Sequence, residues 1–129
     1  MILDSSAVIA ILFGEDDAQT FTDAIALDVT PRMSAASFLE TGINVDAQAD
    51  PAAGRQLDAL IERAGVHIEP VTAAQARSAR QAYLDFGKGH HPAGLNFGDC
   101  FAYALANETG QPLLFKGNDF TQTDIESAL

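Results

Sequence analysis

The sequence has no tryptophan, two tyrosines, one cysteine and only 7 basic residues among its 129. A single cysteine, Cys100, excludes an internal disulfide, so the fold must rest on a packed core. With 47% hydrophobic residues, that core is within reach; a chain of this length buries roughly two thirds of its unfolded surface. The 7 bases stand against 18 acids, for a formal net charge of -11. This excludes a protein that grips nucleic acid through a general basic surface, because such binding is driven by Lys and Arg. No uncharged apolar run approaches the ~20 residues of a spanning helix, which predicts no membrane association. An acid at the fourth position, Asp4, stands where a signal peptide would carry basic and then apolar residues. Together with the lone cysteine, it predicts a cytoplasmic protein. No repeat, low-complexity tract or linker interrupts the chain, and one domain is expected over residues 1-129.

The charge is uneven. Residues 1-76 carry 12 acids and 3 bases, residues 77-116 carry 3 and 4, and residues 117-129 carry 3 and none. Arg77, Arg80, Lys88 and Lys116 therefore fall in one stretch. The chain opens with a short apolar run, Met1 to Leu3, which predicts a buried strand feeding a helix that runs to Phe13. Helical spacing returns in Ala18 to Leu27, and Pro31-Arg32-Met33 reads as a second strand. Ser34 caps a helix expected to reach about Ala49, and Asp50-Pro51 starts another that Gly65 stops. Val66 to Val71 reads as a strand, and Thr72 caps a helix to about Phe86. After a Gly- and His-rich loop, Phe97 to Asn107 is apolar on nearly every side, and Leu113-Leu114-Phe115 closes as a strand. Strands alternating with helices predict an α/β sandwich around a short parallel sheet. Phe13, Phe21, Phe38 and Phe101 are expected in its core.

Ligands of such sheets sit beyond the carboxyl ends of the strands, and four acids fall near that edge. Asp4 follows the first strand at once, where it reads equally as a helix N-cap or a site ligand, with Ser6 able to assist either role. Asp99 lies in an otherwise apolar helix. A carboxylate buried there must be paired, metal-bound or relieved by the helix N-terminus. Glu40 stands at the border of the apolar and polar faces of its helix, a place an ordinary solvated Glu could also take. Asp119 follows the last strand after the turn Lys116-Gly117-Asn118, which turn chemistry alone would allow. If the four converge, their repulsion calls for a cation between them, and an all-oxygen set suits Mg²⁺ or Mn²⁺.

The stretch Leu95-Asn96-Phe97-Gly98-Asp99-Cys100-Phe101-Ala102-Tyr103-Ala104-Leu105-Ala106, with Leu114-Phe115-Lys116-Gly117-Asn118-Asp119-Phe120 and Thr123-Asp124-Ile125, resembles the PIN-domain ribonucleases. The match is to the VapC-type toxins of bacterial type II toxin-antitoxin pairs. The opening Ile2-Leu3-Asp4-Ser5-Ser6-Ala7 and the segment Ser37-Phe38-Leu39-Glu40-Thr41 complete the pattern, which covers essentially the whole chain. The resemblance implies a PIN-like three-layer sandwich and a Mg²⁺-dependent endoribonuclease that inhibits translation and growth, with Mn²⁺ as a possible substitute. It implies Asp4, Glu40, Asp99 and Asp119 as the acidic quartet: Asp4 and Asp99 as direct ligands, Glu40 and Asp119 directly or through water. Ser6 supports the first acid, and Asn118 occupies a place where some relatives carry a further acid. The expected reaction is in-line attack of an activated water on RNA, leaving a 5′-phosphate and a 3′-hydroxyl. The implied partners are a small antitoxin that offers an Arg to the carboxylates and a second copy of the chain, giving a homodimer within a toxin-antitoxin hetero-oligomer.

The loop Lys88-Gly89-His90-His91-Pro92 offers Lys88, His90 and His91, with Lys116, as possible RNA contacts. Its adjacent histidines lack the neighbouring ligands of a transition-metal site, and Cys100 reads as a small buried hydrophobe. Three rival functions would each need different residues. A phosphoacceptor receiver domain would need an acid beside Asp4 and another ending a central strand, whereas Asp50 and Asp58 fall at the start of and within a helix. An aspartyl-nucleophile phosphatase would need an acid where Ser6 stands. A catalytically silent PIN-like module that binds RNA or a partner would be expected to have lost one of the four acids.

Overall fold

The computed structural model describes residues 1–129. Four short strands, β1 (Ile2–Leu3), β2 (Arg32–Ser34), β3 (His67–Glu69) and β4 (Leu113–Leu114), form one parallel sheet in the order β3-β2-β1-β4. Six helices connect them: α1 (Ser5–Leu12), α2 (Ala18–Ala26), α3 (Ala35–Asp46), α4 (Pro51–Ala64), α5 (Ala73–Phe86) and α6 (Phe97–Thr109). The α/β sandwich expected from the alternation of elements is therefore the observed architecture.

The two-residue period of a strand divides the core. Leu3 and Leu114 face one side with Met33, where Ala7 and Val8 of α1, Phe21 and Ile25 of α2 and Leu57 of α4 close over them. Ile2 and Leu113 face the other side and meet Ala79 and Ala82 of α5 and Tyr103 and Leu105 of α6. Each such Leu or Ile, fully withdrawn from water, contributes about 1.5–3 kcal/mol. α3 closes the end of the sandwich, sending Phe38 to the first layer while its flank abuts α6.

Local chemistry sets the ends of these elements. Asp4, Ser34, Asp50, Thr72 and Asn96 each accept a backbone N–H at a helix start. Gly65 and Gly110 end α4 and α6 in the left-handed conformation, with φ of 64° and 65°. α3 stops at Asp46, three residues before the expected end, because the chain turns through Ala49 at φ 54° to reach the Asp50 cap. β3 is shorter than the expected 66–71, ending at Glu69 before Pro70, which has no N–H for the ladder. Of the four phenylalanines expected inside, Phe21 is buried and Phe38 and Phe101 are half-buried. Phe13 is 44% exposed, because it caps α1 beyond the last turn that faces the sheet.

Candidate active site

Parallel strands deliver their carboxyl ends to one edge, and three helices begin there. α1 starts after β1, α3 after β2, and α6 runs back toward β4, so its first turn lies at the same edge. Their N-terminal N–H groups make this edge favourable for negative charge.

Asp4 is 2% exposed. Its Oδ2 accepts from the Ser6 N–H at 3.0 Å and from the Ser6 hydroxyl at 2.5 Å. The Ser6 oxygen accepts in turn from the Lys116 N–H at 3.0 Å, tying the end of β1 to the chain leaving β4. Oδ1 of the same carboxylate is buried and has no partner. One oxygen of Asp4 thus caps α1, and the other is left without a partner. Burial raises the Asp4 pKa above the ordinary carboxylate value, the Glu40 charge adds to the rise, and the Ser6 bonds oppose it.

Asp99 closes a capping box with Asn96. Its Oδ2 accepts the Asn96 N–H at 2.9 Å, and the Asn96 side chain accepts the Asp99 N–H at 2.9 Å. Burial pushes its carboxyl up to about 7, and the charges of Asp4, Asp119 and Glu40 push in the same direction. Asp99 is therefore the residue on which the other three acids act. Asp119 lies on the exposed loop after β4, next to Asn118, whose carbonyl accepts from Thr121.

Glu40 is half-buried on α3, with Oε1 accepting from the Ser5 hydroxyl at 2.5 Å. A Cβ placed on Gly98 would lie 2.0 Å from Glu40 Oε2. The carboxylate therefore rests directly against the first turn of α6, in space that only a glycine leaves open. Neither Ser5 nor Gly98 was singled out by the sequence. A glycine inside an otherwise apolar helix start is the one signal that could have found Gly98.

The other sequence candidates have different surroundings. The Lys116 ammonium pairs with Glu15 at 2.9 Å and Asp17 at 3.1 Å, both of which raise its pKa. His90 donates from Nε2 to the carbonyls of Tyr83, at 2.7 Å, and Leu84, at 3.0 Å, and so satisfies the C-terminal end of α5. His91 accepts the Ala93 N–H and packs its ring edge-on against Phe86. Lys88 is exposed. Burial pushes the Cys100 thiol up to about 11, with Asp99 adding to it, so the thiol is unreactive at neutral pH.

No three His, Cys, Asp or Glu side chains are drawn together at metal-ligating distances. The donor set nevertheless suits a hard divalent cation: every donor is an oxygen, Asp4 Oδ1 is buried without a partner, and Asp99 is destabilised by three like charges. Asp4 and Asp99 could take such an ion, with Glu40 and Asp119 beside them.

A family model described as the PIN domain matches residues 1–126. The chain is 58% identical over 130 residues to Ribonuclease VapC28 of Mycobacterium tuberculosis, covering 100% of this chain and 98% of that protein. Among solved structures, VapC20 of the same species, described as a sarcin-ricin loop cleaving toxin, aligns with a TM-score of 0.78 at 19% identity, over 96% of this chain and 95% of that one. A toxin-antitoxin complex from Klebsiella pneumoniae aligns with a TM-score of 0.74 at 13% identity, over 95% and 92%. At these identities the two structures speak for the fold alone.

Proposed function

Because the chain belongs to the PIN-domain family and stands among its VapC ribonucleases, we propose that it is an endoribonuclease, the toxin of a type II toxin-antitoxin pair that cleaves RNA to inhibit translation and growth. Its catalytic acids are Asp4, Glu40, Asp99 and Asp119, and its cofactor is Mg²⁺, with Mn²⁺ as a substitute. Residues 1–129 act as one PIN domain in the cytoplasm.

The observation that carries this reading is the buried, unpartnered Oδ1 of Asp4 beside an Asp99 whose pKa is raised to about 7 by burial and by three neighbouring acids. A divalent ion bound there supplies positive charge for a phosphate and lowers the pKa of water. Asp4 and Asp99 would hold it, with Glu40, fixed by Ser5, and Asp119 contributing directly or through water. Ser6 locks Oδ2 of Asp4 so that Oδ1 keeps its aim. His90 and His91 are turned to α5, Ala93 and Phe86, so neither of these imidazoles is placed to deprotonate a 2′-hydroxyl. Water is then the nucleophile, and the products carry 5′-phosphate and 3′-hydroxyl ends.

The same acidic mouth would receive an Arg from an antitoxin, as a charge-assisted pair in place of ion or substrate. Leu39 and Ile43, each 61% exposed on α3, would form part of the contact between two copies in a homodimer.

Incubation of total RNA with the protein and Mg²⁺ should give fragments with 5′-phosphates. Asp4→Ala should slow the cleavage at least ~100-fold, equivalent to about 2.7 kcal/mol of transition-state stabilisation. RNA binding should be weak and should fall off in EDTA. Fragments ending in 2′,3′-cyclic phosphate, or tight RNA binding in EDTA, would overturn the mechanism. Undiminished RNA binding without any cleavage would instead favour a silent module.

A further inference from the structure

We propose that the groove between α5 and α6 is a nucleobase subsite, in which an unpaired base next to the cleaved phosphate stacks on Phe97 opposite Tyr83 while Arg80 takes a neighbouring phosphate. The proposal rests on the endoribonuclease reading and specifies how that site holds its substrate.

Phe97 is the first residue of α6 and is 81% exposed. It adjoins Gly98, which touches Glu40, and lies two residues before Asp99. The ring also lines, with Glu40 and Gly98, the neighbouring cavity over α3, so it stands beside one of the four acids without belonging to the core. It forms one wall of a groove of about 440 Å³ whose other lining includes Ala79, Cys100 and Phe101, with Tyr83 and Arg80. Both outer rings are braced. Phe101 meets Phe97 edge-on at 4.9 Å and 87°, and His90 meets Tyr83 at 5.3 Å and 80°. The Tyr83 hydroxyl is held by the Lys88 carbonyl at 3.2 Å. Rings fixed in this way lose little freedom when a base stacks on them.

Charge identifies the occupant. Of the 7 bases, Arg32 and Lys116 pair with acids and Arg55 and Arg63 lie on α4, whereas Arg80 lines this groove without an ion pair. Arg77 and Lys88, on the same helix and its exit loop, are also unpaired. An apolar slot with two aromatic walls and a free guanidinium, sharing its Phe97 wall with a cavity that Glu40 lines, matches a single-stranded nucleotide: base in the slot, phosphate on the Arg. A duplex would not offer an unstacked base to this slot, so cleavage should favour loops and single strands.

The test uses an eight-nucleotide oligoriboadenylate carrying 2-aminopurine at one internal position, and a second probe with an abasic sugar at that position. Both are titrated with the full chain in Ca²⁺, which occupies oxygen sites with looser geometry than Mg²⁺. Wild type should quench the 2-aminopurine. Phe97→Ala should abolish the quenching and weaken binding of the base-containing probe roughly 5- to 100-fold, while Phe97→Tyr retains both. The abasic probe should bind wild type and Phe97→Ala alike. Arg80→Gln should weaken both probes and flatten the salt dependence by about one charge. Unchanged quenching in Phe97→Ala, or no binding of either probe by wild type, overturns the subsite. Loss of self-association in Phe97→Ala by light scattering, with RNA binding intact, overturns it in favour of a contact between copies. Cleavage of total RNA by wild type in Mg²⁺ separates the two readings: if it persists while these probes fail, only the subsite falls.

Discussion

Asp99→Asn should abolish RNA cleavage and, in the absence of divalent ions, make the protein more stable at pH 8. The two effects share one cause. Asp99 has a folded-state pKa of about 7 against an ordinary value of 3.8. Between those values the folded chain retains a proton that the unfolded chain has released. Its contribution to stability therefore falls as the pH rises from about 4 to 7, and above 7 the whole penalty of an ionised, crowded carboxylate is present. Burial of Asp4 raises its pKa too and adds in the same direction. For Asp99 alone, a rise of this size corresponds to about 4 kcal/mol, which partial solvation reduces to roughly 2–3 kcal/mol. Asn has nearly the same shape, cannot ionise, and still presents an oxygen to the Asn96 N–H, so the capping box survives.

Denaturant unfolding in EDTA at pH 5 and pH 8 reads this directly. Wild type should lose stability between the two pH values more steeply than the variant, and the variant should be the more stable at pH 8. Adding Mg²⁺ at pH 8 should raise the stability of wild type by mass action on the folded state and leave Asp99→Asn nearly unmoved. Cleavage should fall by at least ~100-fold. A variant less stable than wild type at pH 8 in EDTA would mean that the carboxylate is held mainly by its cap. An unchanged cleavage rate would remove Asp99 from the site.

The contrast between what was legible in the sequence and what was not follows the range of the interactions. Caps and stops are local, and Asp4, Ser34, Asp50-Pro51, Thr72 and Gly65 mark their helices where the structure has them. The positions of Asp4, Asp99 and Asp119 at strand and helix ends were equally visible, because topology alone carries carboxyl ends to one edge. The choice between capping and site roles was not, since Asp4 and Asp99 each cap with one oxygen, a division that no spacing reveals. The surroundings of Glu40 depend on Ser5 and Gly98, 35 residues before it and far after it, and periodicity within α3 contains neither. For the same reason the histidine loop read only as a set of possible RNA contacts, with no sign that His90 closes the end of α5 and braces Tyr83. Phe97 read as part of a helix apolar all round, yet as its first residue it projects past the layer that buries Cys100 and Leu105.

Gly98→Ala should cut the cleavage rate about 10- to 100-fold, the range for residues that orient a ligand rather than supply one, with no loss of stability. The added methyl would overlap Glu40 Oε2 at 2.0 Å and its Oε1 at 2.9 Å. The three atoms nearest the added methyl all belong to the Glu40 side chain, and Gly98 lies outside the positive-φ region. The long Glu40 side chain is therefore the part that yields, swinging away from α6 and from its bond to Ser5. Alanine also restricts the unfolded chain, so the net change in stability should lie between zero and a gain of about 1 kcal/mol. A purely structural glycine would give the opposite pattern, with stability lost and activity falling only as far as the folded fraction. Shortening the displaced acid provides the decisive comparison. Glu40→Asp withdraws the carboxylate by one methylene and should lower activity alone, but in the Gly98→Ala background it should cost much less than it does in wild type, because the overlap is already relieved. A double-mutant cycle on cleavage rates measures this coupling. If the two losses simply multiply, Gly98 does not act through Glu40, and the contact between α3 and α6 is packing with no part in placing the acid.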